Sequence, residues 1–254
     1  MKTDPDLVAA ADENFIASFR KLTDHVPEGA CREAPGLFAF ATGLPMALFN
    51  GCVVTGSVDP AELDSAVAWV RTSNAPFRVW VSAGLGAERA HLGQAPGLAA
   101  QEAPYPGMAL HPVPDPPAPA TGVTVAPVDP DGSDDFLAVL VEAGLERDLA
   151  LRLFLHGFAS DPAVALFLAR IDGDPVGVSL AISSDSASGV YNVVTLERAR
   201  RRGVGTALTW AAVAAGTAWG RDTIVLQSSP MAESMYRAMG FRLVAPYAVF
   251  SSTS

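Results

Sequence analysis

The chain has 254 residues and a mass of 26.4 kDa, enough for one large domain or two small ones with normal hydrophobic cores. Its 27 acidic and 17 basic side chains give a formal charge of −10, which argues against a protein that coats nucleic acid. The two cysteines, Cys31 and Cys52, cannot build a disulfide framework and have no metal-ligand spacing, so we expect a reducing compartment and no metal site.

The first half of the chain mixes helical and strand patterns. Residues 6–21 have the apolar spacing of a helix, and two short apolar runs flank the turn at 42–45, as strands do. Asp59 and Pro60 are a capping acid and a first-turn proline, so they predict a helix that continues through Trp69. Alternation in residues 77–82 predicts a further strand.

A proline-rich segment divides the sequence. Seven prolines lie between Pro104 and Pro119, and proline fixes φ and removes a backbone donor, which favours extended chain over helix or sheet. The segment therefore predicts an N-terminal domain at 1–111, a linker at 112–121 and a C-terminal domain at 122–254.

The second half has a longer series of elements. The patterns predict a strand at 123–128, one helix from Asp134 to about His156, strands at 165–171, 176–183 and 189–195, a helix at 204–219, a strand at 223–228, a short helix within 230–240 and a strand near 244–250. Several strands come first, and a strand, a helix and a strand then alternate. This order indicates an α/β (α+β) fold with a mixed sheet and helices on both faces.

The two halves share short sequence matches. Residues 42–47 match 172–177, and Gly97 followed by Ala103 to Tyr105 matches Gly240 followed by Ala245 to Tyr247. The offsets are about 130 and about 142 residues and keep the same order, so a tandem duplication is predicted. Chance is the alternative, because Gly-x-Pro turns are common.

No segment is typical of a membrane span or a signal peptide, although the mean hydropathy is +0.27. The uncharged stretch 34–58 contains two prolines and four glycines, and the stretch 203–220 contains four glycines. The N-terminus is acidic where a signal peptide needs a basic start and an apolar run. We expect a cytoplasmic protein without a membrane partner.

A glycine-containing loop after the strand at 189–195 predicts a phosphate site. Backbone N–H groups converge at the positive end of the following helix dipole, and glycine lets a ligand approach the backbone closely. A basic surface loop capped by glycine is the alternative, since the loop lacks the Walker ending and the three-glycine dinucleotide fingerprint. Its residues are Arg200, Arg201, Arg202, Gly203, Val204, Gly205 and Thr206.

At Arg200, Gly203 and Gly205 the chain resembles the GNAT superfamily of acyl-CoA-dependent N-acyltransferases, whose signature is Arg/Gln-x-x-Gly-x-Gly/Ala. Residues 236–241 are similar to the family's Tyr-x-x-x-Gly-Phe motif, and the resemblance covers 122–254 in element order. It implies a centrally splayed mixed sheet flanked by helices, with a degenerate GNAT-like N-terminal half in a tandem repeat. The chain departs from the family near Glu197, where a proline is usual.

The resemblance implies an N-acetyltransferase that transfers an acetyl group from acetyl-CoA to a primary amine by direct attack. The acceptor would be a small-molecule or peptide amine. Tyr236 would protonate the departing thiolate, because a phenol with a pKa of about 10 is a proton donor at neutral pH. Packing beside Met231, Met235 and Met239 is its alternative role.

The same resemblance implies the contacts with acetyl-CoA. The strand would offer a backbone N–H to the thioester oxygen, helped by a bulge that opens the sheet. Ser229 stands where many members carry an asparagine near the pantetheine. The implied cofactor residues are Val193, Val194, Thr195, Arg200, Arg201, Arg202, Gly203, Val204, Gly205, Thr206 and Ser229, with no metal.

No general base stands out. Each candidate is also typical of a solvated charge or, for His156, of a helix C-terminal cap, and a chain of water molecules is the alternative base. The absence of an evident base favours a second hypothesis, a module that senses acyl-CoA without turnover, whereas Tyr236 disfavours it. The candidates are Glu142, Glu146, Asp148, His156 and Asp185.

Charge is distributed unevenly around the predicted site. Residues 122–190 hold eleven acids and three bases, whereas 191–254 hold three acids and seven bases. An acidic acceptor side would attract an ammonium group and a basic cofactor side would attract phosphates, although charged blocks are also simply solvated faces. In the N-terminal half, residues 59–64 contain three acids at the loop position, and Gly93 stands in place of the tyrosine. We expect that half to keep the fold without the chemistry.

Overall fold

The computed structural model describes residues 2–118, 120–129, 134–154 and 157–253. Seven α-helices lie in these residues: α1 (Asp4–His25), α2 (Pro60–Arg71), α3 (Gly86–Leu92), α4 (Asp134–Glu142), α5 (Arg147–Phe154), α6 (Val204–Ala218) and α7 (Glu233–Ala238). The twelve described strands are β1 (Ala30–Ala34), β2 (Leu37–Ala41), β3 (Asn50–Val54), β4 (Arg78–Val81), β5 (Leu98–Ala100), β6 (Tyr105–Leu110), β7 (Val123–Pro127), β8 (Val164–Ile171), β9 (Asp174–Ser183), β10 (Ser188–Thr195), β11 (Ile224–Gln227) and β12 (Arg242–Ser252).

The chain forms two compact units, neither of which is continuous in sequence. The first consists of Met1–Asn14 and Met108–Arg242, and the second of Phe15–Gly107 and Leu243–Ser254. These bounds differ from the predicted domain ranges 1–111 and 122–254. Residues 1–14 belong to the first unit, and residues 243–254 belong to the second. The C-terminal residues belong with the N-terminal half because β12 is hydrogen-bonded to β4 and β5.

The first unit contains a mixed sheet in the order β11-β10-β9-β8-β7. All neighbours are antiparallel except β10 and β11, which are parallel, as a strand–helix–strand connection requires. The connecting helix α6 buries small and aliphatic side chains, among them Val204, Leu208 and Ala212, in a core that also includes β8 and Tyr236. The predicted mixed sheet with helical cover is confirmed.

The second unit repeats this plan with the sheet order β1-β2-β3-β4-β12, and β5 pairs with β12. Helix α2 begins where Asp59 and Pro60 predicted, and its apolar positions Leu63, Ala66, Val67 and Val70 follow the helical period into the core. An aromatic cluster fills the unit, in which Phe15, Phe19, Phe40, Trp80 and Tyr247 contact one another.

Each unit has two antiparallel hairpins, then a parallel strand pair joined by a helix, then a short helix. This order is the one that a tandem duplication predicts. The turn equivalence proposed from sequence is wrong by one hairpin. Residues 42–45 lie between β2 and β3, whereas the turn at 172–173 lies between β8 and β9. The counterpart of Gly173 is Gly36 between β1 and β2, and both glycines have positive φ, +90° and +75°.

The single helix predicted from Asp134 to about His156 is wrong, because the chain forms α4 and α5 instead. Gly144 adopts φ +101° and ends α4 in a Schellman motif. Its N–H donates to the Val141 carbonyl, and the Leu145 N–H donates to the Leu140 carbonyl. His156, a base candidate, lies outside the described residues.

Within the described residues, no helix combines the length and the apolar character needed to cross a lipid bilayer.

The two cysteines lie in opposite environments of the second unit, which predicts selective thiol chemistry. Cys31 is exposed on β1, whereas Cys52 is buried in β3, where burial raises the pKa of its thiol to about 12. A disulfide reagent at pH 8 should therefore modify one thiol of the native protein and two in concentrated guanidinium. Cys31→Ser should leave no rapidly reacting thiol, and rapid modification of both in the native protein would contradict the burial of Cys52.

Candidate functional site

Helix α6 begins without a side-chain cap. Its N-cap residue is Gly203, at φ +82°, and no side-chain hydrogen bond closes this end of the helix. The first N–H groups of a helix have no partner inside the helix. Val204, Gly205 and Thr206 line a cleft of about 1130 Å³ in the first unit. The positive end of the helix dipole therefore faces a space that a ligand can enter.

The glycines of this loop are required by conformation and by space. Gly203 has a left-handed backbone that other residues rarely adopt, and a Cβ there would lie 2.8 Å from the Ala120 Cβ. A Cβ on Gly205 would lie 3.3 Å from the Met235 sulfur and 3.6 Å from Thr195 Oγ1. Gly205 thus keeps open the space between α6, β10 and α7.

The central strands of the first unit separate beside this helix end. Strand β10 pairs with β11 only through Ser188 with Ile224 and Gly189 with Val225. On its other side β10 contains a bulge, where Asn192 and Val193 lie opposite one residue of β9. Asn192 has φ +50°, and the strand continues as Val193–Thr195 along the wall of the cleft. The bulge expected to open the sheet is present.

Tyr236 lies in the cleft wall and is also part of the core. Only 6% of its surface is exposed, and its ring contacts Phe241 edge-on at 5.7 Å between centroids. Packing is therefore one role of this side chain. Tyr236 also lines the cleft, so this residue belongs to both the core and the cleft wall.

The cleft brings together ten of the twelve predicted site residues. Arg202 and Ser229 do not line it: Arg202 is exposed, and the Ser229 carbonyl accepts the Ala232 and Glu233 N–H groups ahead of α7. The predicted residues that line the cleft are Val193, Val194, Thr195, Arg200, Arg201, Gly203, Val204, Gly205, Thr206 and Tyr236. Sequence reasoning did not place Ala143, Leu196, Arg198, Met231, Ala232 and Met235 there.

Of the base candidates in the described residues, only Glu142 lines the cleft. Its carboxylate forms an ion pair with Arg198, whose other guanidinium nitrogen donates to the Pro175 carbonyl at 3.0 Å. Glu146, Asp148 and Asp185 are exposed elsewhere in the first unit. The structure therefore places one of these candidates at the cleft, and Glu142 already has a cationic partner. A second acid, Glu197, also lines the cleft and lies 4.0 Å from the Arg200 guanidinium.

The second unit lacks both features of this site in its described residues. The N-terminus of α2 is closed by its own sequence, since the Asp59 carboxylate accepts the Ala61 N–H at 2.9 Å and Pro60 has no N–H to offer. Strands β3 and β4 stay paired over four residue pairs, from Gly51 with Arg78 to Val54 with Val81. In these described residues the connecting helix α2 thus has a capped N-terminus, and the parallel strands leave no gap.

Comparison with known proteins identifies the domain that carries the cleft. Residues 134–241 match the model of the acetyltransferase (GNAT) family. Residues 134–241 are a GNAT domain. No curated protein sequence matches the chain. The range of the GNAT domain runs from the start of α4 to Phe241 and includes every described cleft residue.

Solved structures extend the likeness to both units of the chain. A GCN5-related N-acetyltransferase from Kribbella flavida has a TM-score of 0.68 at 22% identity, covering 95% of this chain and 96% of that one. Another from Sphaerobacter thermophilus has a TM-score of 0.61 at 19% identity, with coverages of 89% and 80%. A tandem GNAT protein from the clavulanic acid biosynthesis pathway has a TM-score of 0.56 at 15% identity, with coverages of 89% and 83%. At these identities they show the fold, including the tandem arrangement.

The Asp59 cap at the N-terminus of α2 predicts how a substitution there changes the stability of the protein. Asp59→Ala removes the cap of α2 and should lower the free energy of unfolding by about 1 kcal/mol. Urea denaturation measures the loss. Asp59→Ser keeps a capping oxygen and should retain most of the stability, so an equal loss in both variants would contradict the capping role.

Proposed function

We propose that this protein is an N-acetyltransferase that transfers an acetyl group from acetyl-CoA to a primary amine by direct attack. The observation that carries the proposal is the uncapped N-terminus of α6 beside the separated strands β10 and β11, inside a GNAT domain. Family membership of residues 134–241 supports an acyltransferase. In this proposal residues 122–254 carry catalysis, 112–121 link the halves, and 1–111 keep the fold without a cofactor site.

The residues of the cleft fit acetyl-CoA. The N–H groups at the start of α6 and the guanidinium groups of Arg200 and Arg201 suit a pyrophosphate, because both offer donors and positive charge. The absence of a Cβ on Gly205 leaves room for the ligand to approach the backbone. The separated edge of β10 at 193–195 leaves main-chain groups for an extended ligand arm and for the thioester oxygen.

Acetyl-CoA supplies the thioester that the amine attacks. Tyr236 lines the same cleft as 193–195, and a phenol is a proton donor at neutral pH, so we assign to Tyr236 the proton that goes to the departing sulfur. The two carboxylates that line the cleft in the described residues are both in ion pairs, Glu142 with Arg198 and Glu197 with Arg200. We therefore assign that step to ordered water.

The proposed pyrophosphate site can be tested with a substitution that stabilises the helix and weakens ligand binding. Thr206 is the third residue of α6, a position where glutamate favours the helix dipole. Thr206→Glu should therefore keep or slightly raise the melting temperature, while its carboxylate repels the pyrophosphate. Calorimetry should show acetyl-CoA binding weakened by more than about thirtyfold.

The matched control for this variant is Ala214→Glu, which adds the same charge to an exposed position of the same helix. Its affinity for acetyl-CoA should equal that of the wild type. Gly203 is a poorer test position, since any side chain there strains the backbone and would confuse misfolding with lost binding. Equal affinity in wild type and Thr206→Glu would remove the proposed site.

The proposed acid can be tested by Tyr236→Phe, which keeps the ring contact with Phe241 and removes the hydroxyl. Stability should change by no more than about 1 kcal/mol, and acetyl-CoA affinity should change little. Turnover, followed as thiol release with a panel of amines, should fall roughly 100- to 10,000-fold.

Tyr105→Phe provides the same chemical change in the second unit, where burial raises the pKa of Tyr105. That variant should turn over at the wild-type rate. If Tyr236→Phe also turns over at the wild-type rate when chemistry is rate-limiting, solvent protonates the thiolate and Tyr236 only packs.

A further inference from the structure

The cleft reaches both faces of the sheet in the first unit. Helix α6 covers one face, where a Cβ on Gly177 of β9 would lie 2.9 Å from the Leu208 side chain. Ser179, two residues further along β9, donates from its hydroxyl to the Leu208 carbonyl at 3.1 Å. Helix α4 also contacts β9, but its described buried residues are outside the core that α6 forms with β8 and Tyr236, so α4 covers the opposite face.

Residues from both faces line this cleft. Residues 204–206 begin α6 on one face, whereas Glu142 and Ala143 lie at the C-terminal end of α4 on the other. The cleft therefore continues past the end of β10 from one face of the sheet to the other. Because the start of α6 is the proposed place of the pyrophosphate, the end of α4 is left for the acceptor.

Glu142 offers a carboxylate oxygen at this end of the cleft. Its side chain is 54% exposed, and its Oε1 accepts a hydrogen bond from the Arg198 guanidinium. Arg198 is itself fixed by the Pro175 carbonyl, which accepts its second nitrogen at 3.0 Å. No described group of the chain donates to Glu142 Oε2. A carboxylate has about four lone-pair sites, so Arg198 holds Glu142 in place without saturating it.

The charges around Glu142 favour a cation as its ligand. Residues 122–190 hold eleven acids and only three bases, and a protonated amine brings both positive charge and three N–H donors. This ammonium is not the group that attacks the thioester. A neighbouring carboxylate stabilises an ammonium and raises its pKa, whereas the attacking amine must lose its proton.

We propose that Glu142 binds a second ammonium group of the acceptor, which is therefore an aliphatic diamine or a longer polyamine. This inference rests on the proposed acetyltransferase function. One amine of such a molecule reacts beside 193–195, while the other stays protonated at the α4 end of the same cleft. Arg198 is a positioning residue in this arrangement, because it holds the Glu142 carboxylate without contacting the acceptor.

The experiment compares aliphatic diamines with monoamines of the same carbon chain. Diaminopropane, putrescine and cadaverine are paired with propylamine, butylamine and pentylamine, so that the spacing of the second ammonium is varied. Each amine is titrated into the protein saturated with CoA, at one pH and one ionic strength, and the heat of binding is measured. At least one diamine should bind roughly tenfold or more tightly than its monoamine, the effect of one charged hydrogen bond.

Substitution of Glu142 tests whether this residue is the source of the preference. Glu142→Gln keeps the shape of the side chain, and it should reduce the preference for that diamine at least roughly fivefold while changing monoamine affinity less than about twofold. Because the ion pair with Arg198 is half exposed, the melting temperature should fall by no more than about 4 °C. Glu146→Gln is the matched control: it removes the same charge from an exposed residue that does not line the cleft, and it should leave the preference unchanged.

The possible results separate the acceptor assignment from the proposed function. If neither acetyl-CoA nor CoA binds, the proposed function fails and the acceptor assignment fails with it. If CoA binds and no diamine binds more tightly than its monoamine, the acceptor assignment alone is overturned. A preference that survives Glu142→Gln, or that falls equally in Glu146→Gln, also overturns it, because contact with Glu142 would then not be the cause.

Discussion

The separation of β10 from β11 after two residue pairs is the constraint on which the cleft depends. If β10 and β11 stayed paired along their length, the main-chain groups of 193–195 that face β11 would be bonded to it and no gap would remain. The bulge at Asn192 and Val193 ends that register by placing two residues opposite one. The N-terminus of α6 and the unpaired end of β10 line the same cleft. Main-chain donors of a strand and of a helix terminus therefore face one space.

The two units share one plan and differ at the two features that form the cleft of the first unit. Both contain antiparallel strands, a parallel pair, a connecting helix and a short helix in the same order. In the second unit the helix satisfies its own terminus through Asp59, and the parallel pair remains closed. These are local changes, one in capping and one in register, and they leave the hydrophobic core of the unit unaffected.

The element order and the main loop of the cleft were predictable because their signals are local. Apolar periodicity, Asp59 with Pro60 and the spacing of Gly203 and Gly205 each act within a few residues. The end of α4 was not predicted, because the apolar pattern does not report the left-handed backbone with which Gly144 ends the helix. Arg202 was expected at the cleft and Met235 was not, since adjacency in sequence does not give the direction of a side chain. The strand separation depends on the bulge at Asn192 and Val193, whose position the apolar pattern does not mark.

The assignment of β12 to the second unit affects how the chain is made. Tyr247 belongs to the aromatic cluster of that unit, and β12 covers β4, yet both come from the last residues of the sequence. On a ribosome the N-terminal half emerges first but lacks a strand of its sheet until β12 has been synthesised. The edge of β4 that pairs with β12 therefore has no partner strand until β12 has been synthesised. A fragment cut at 112–121 would inherit the same open edge, so the two halves of the sequence are not separable folding units.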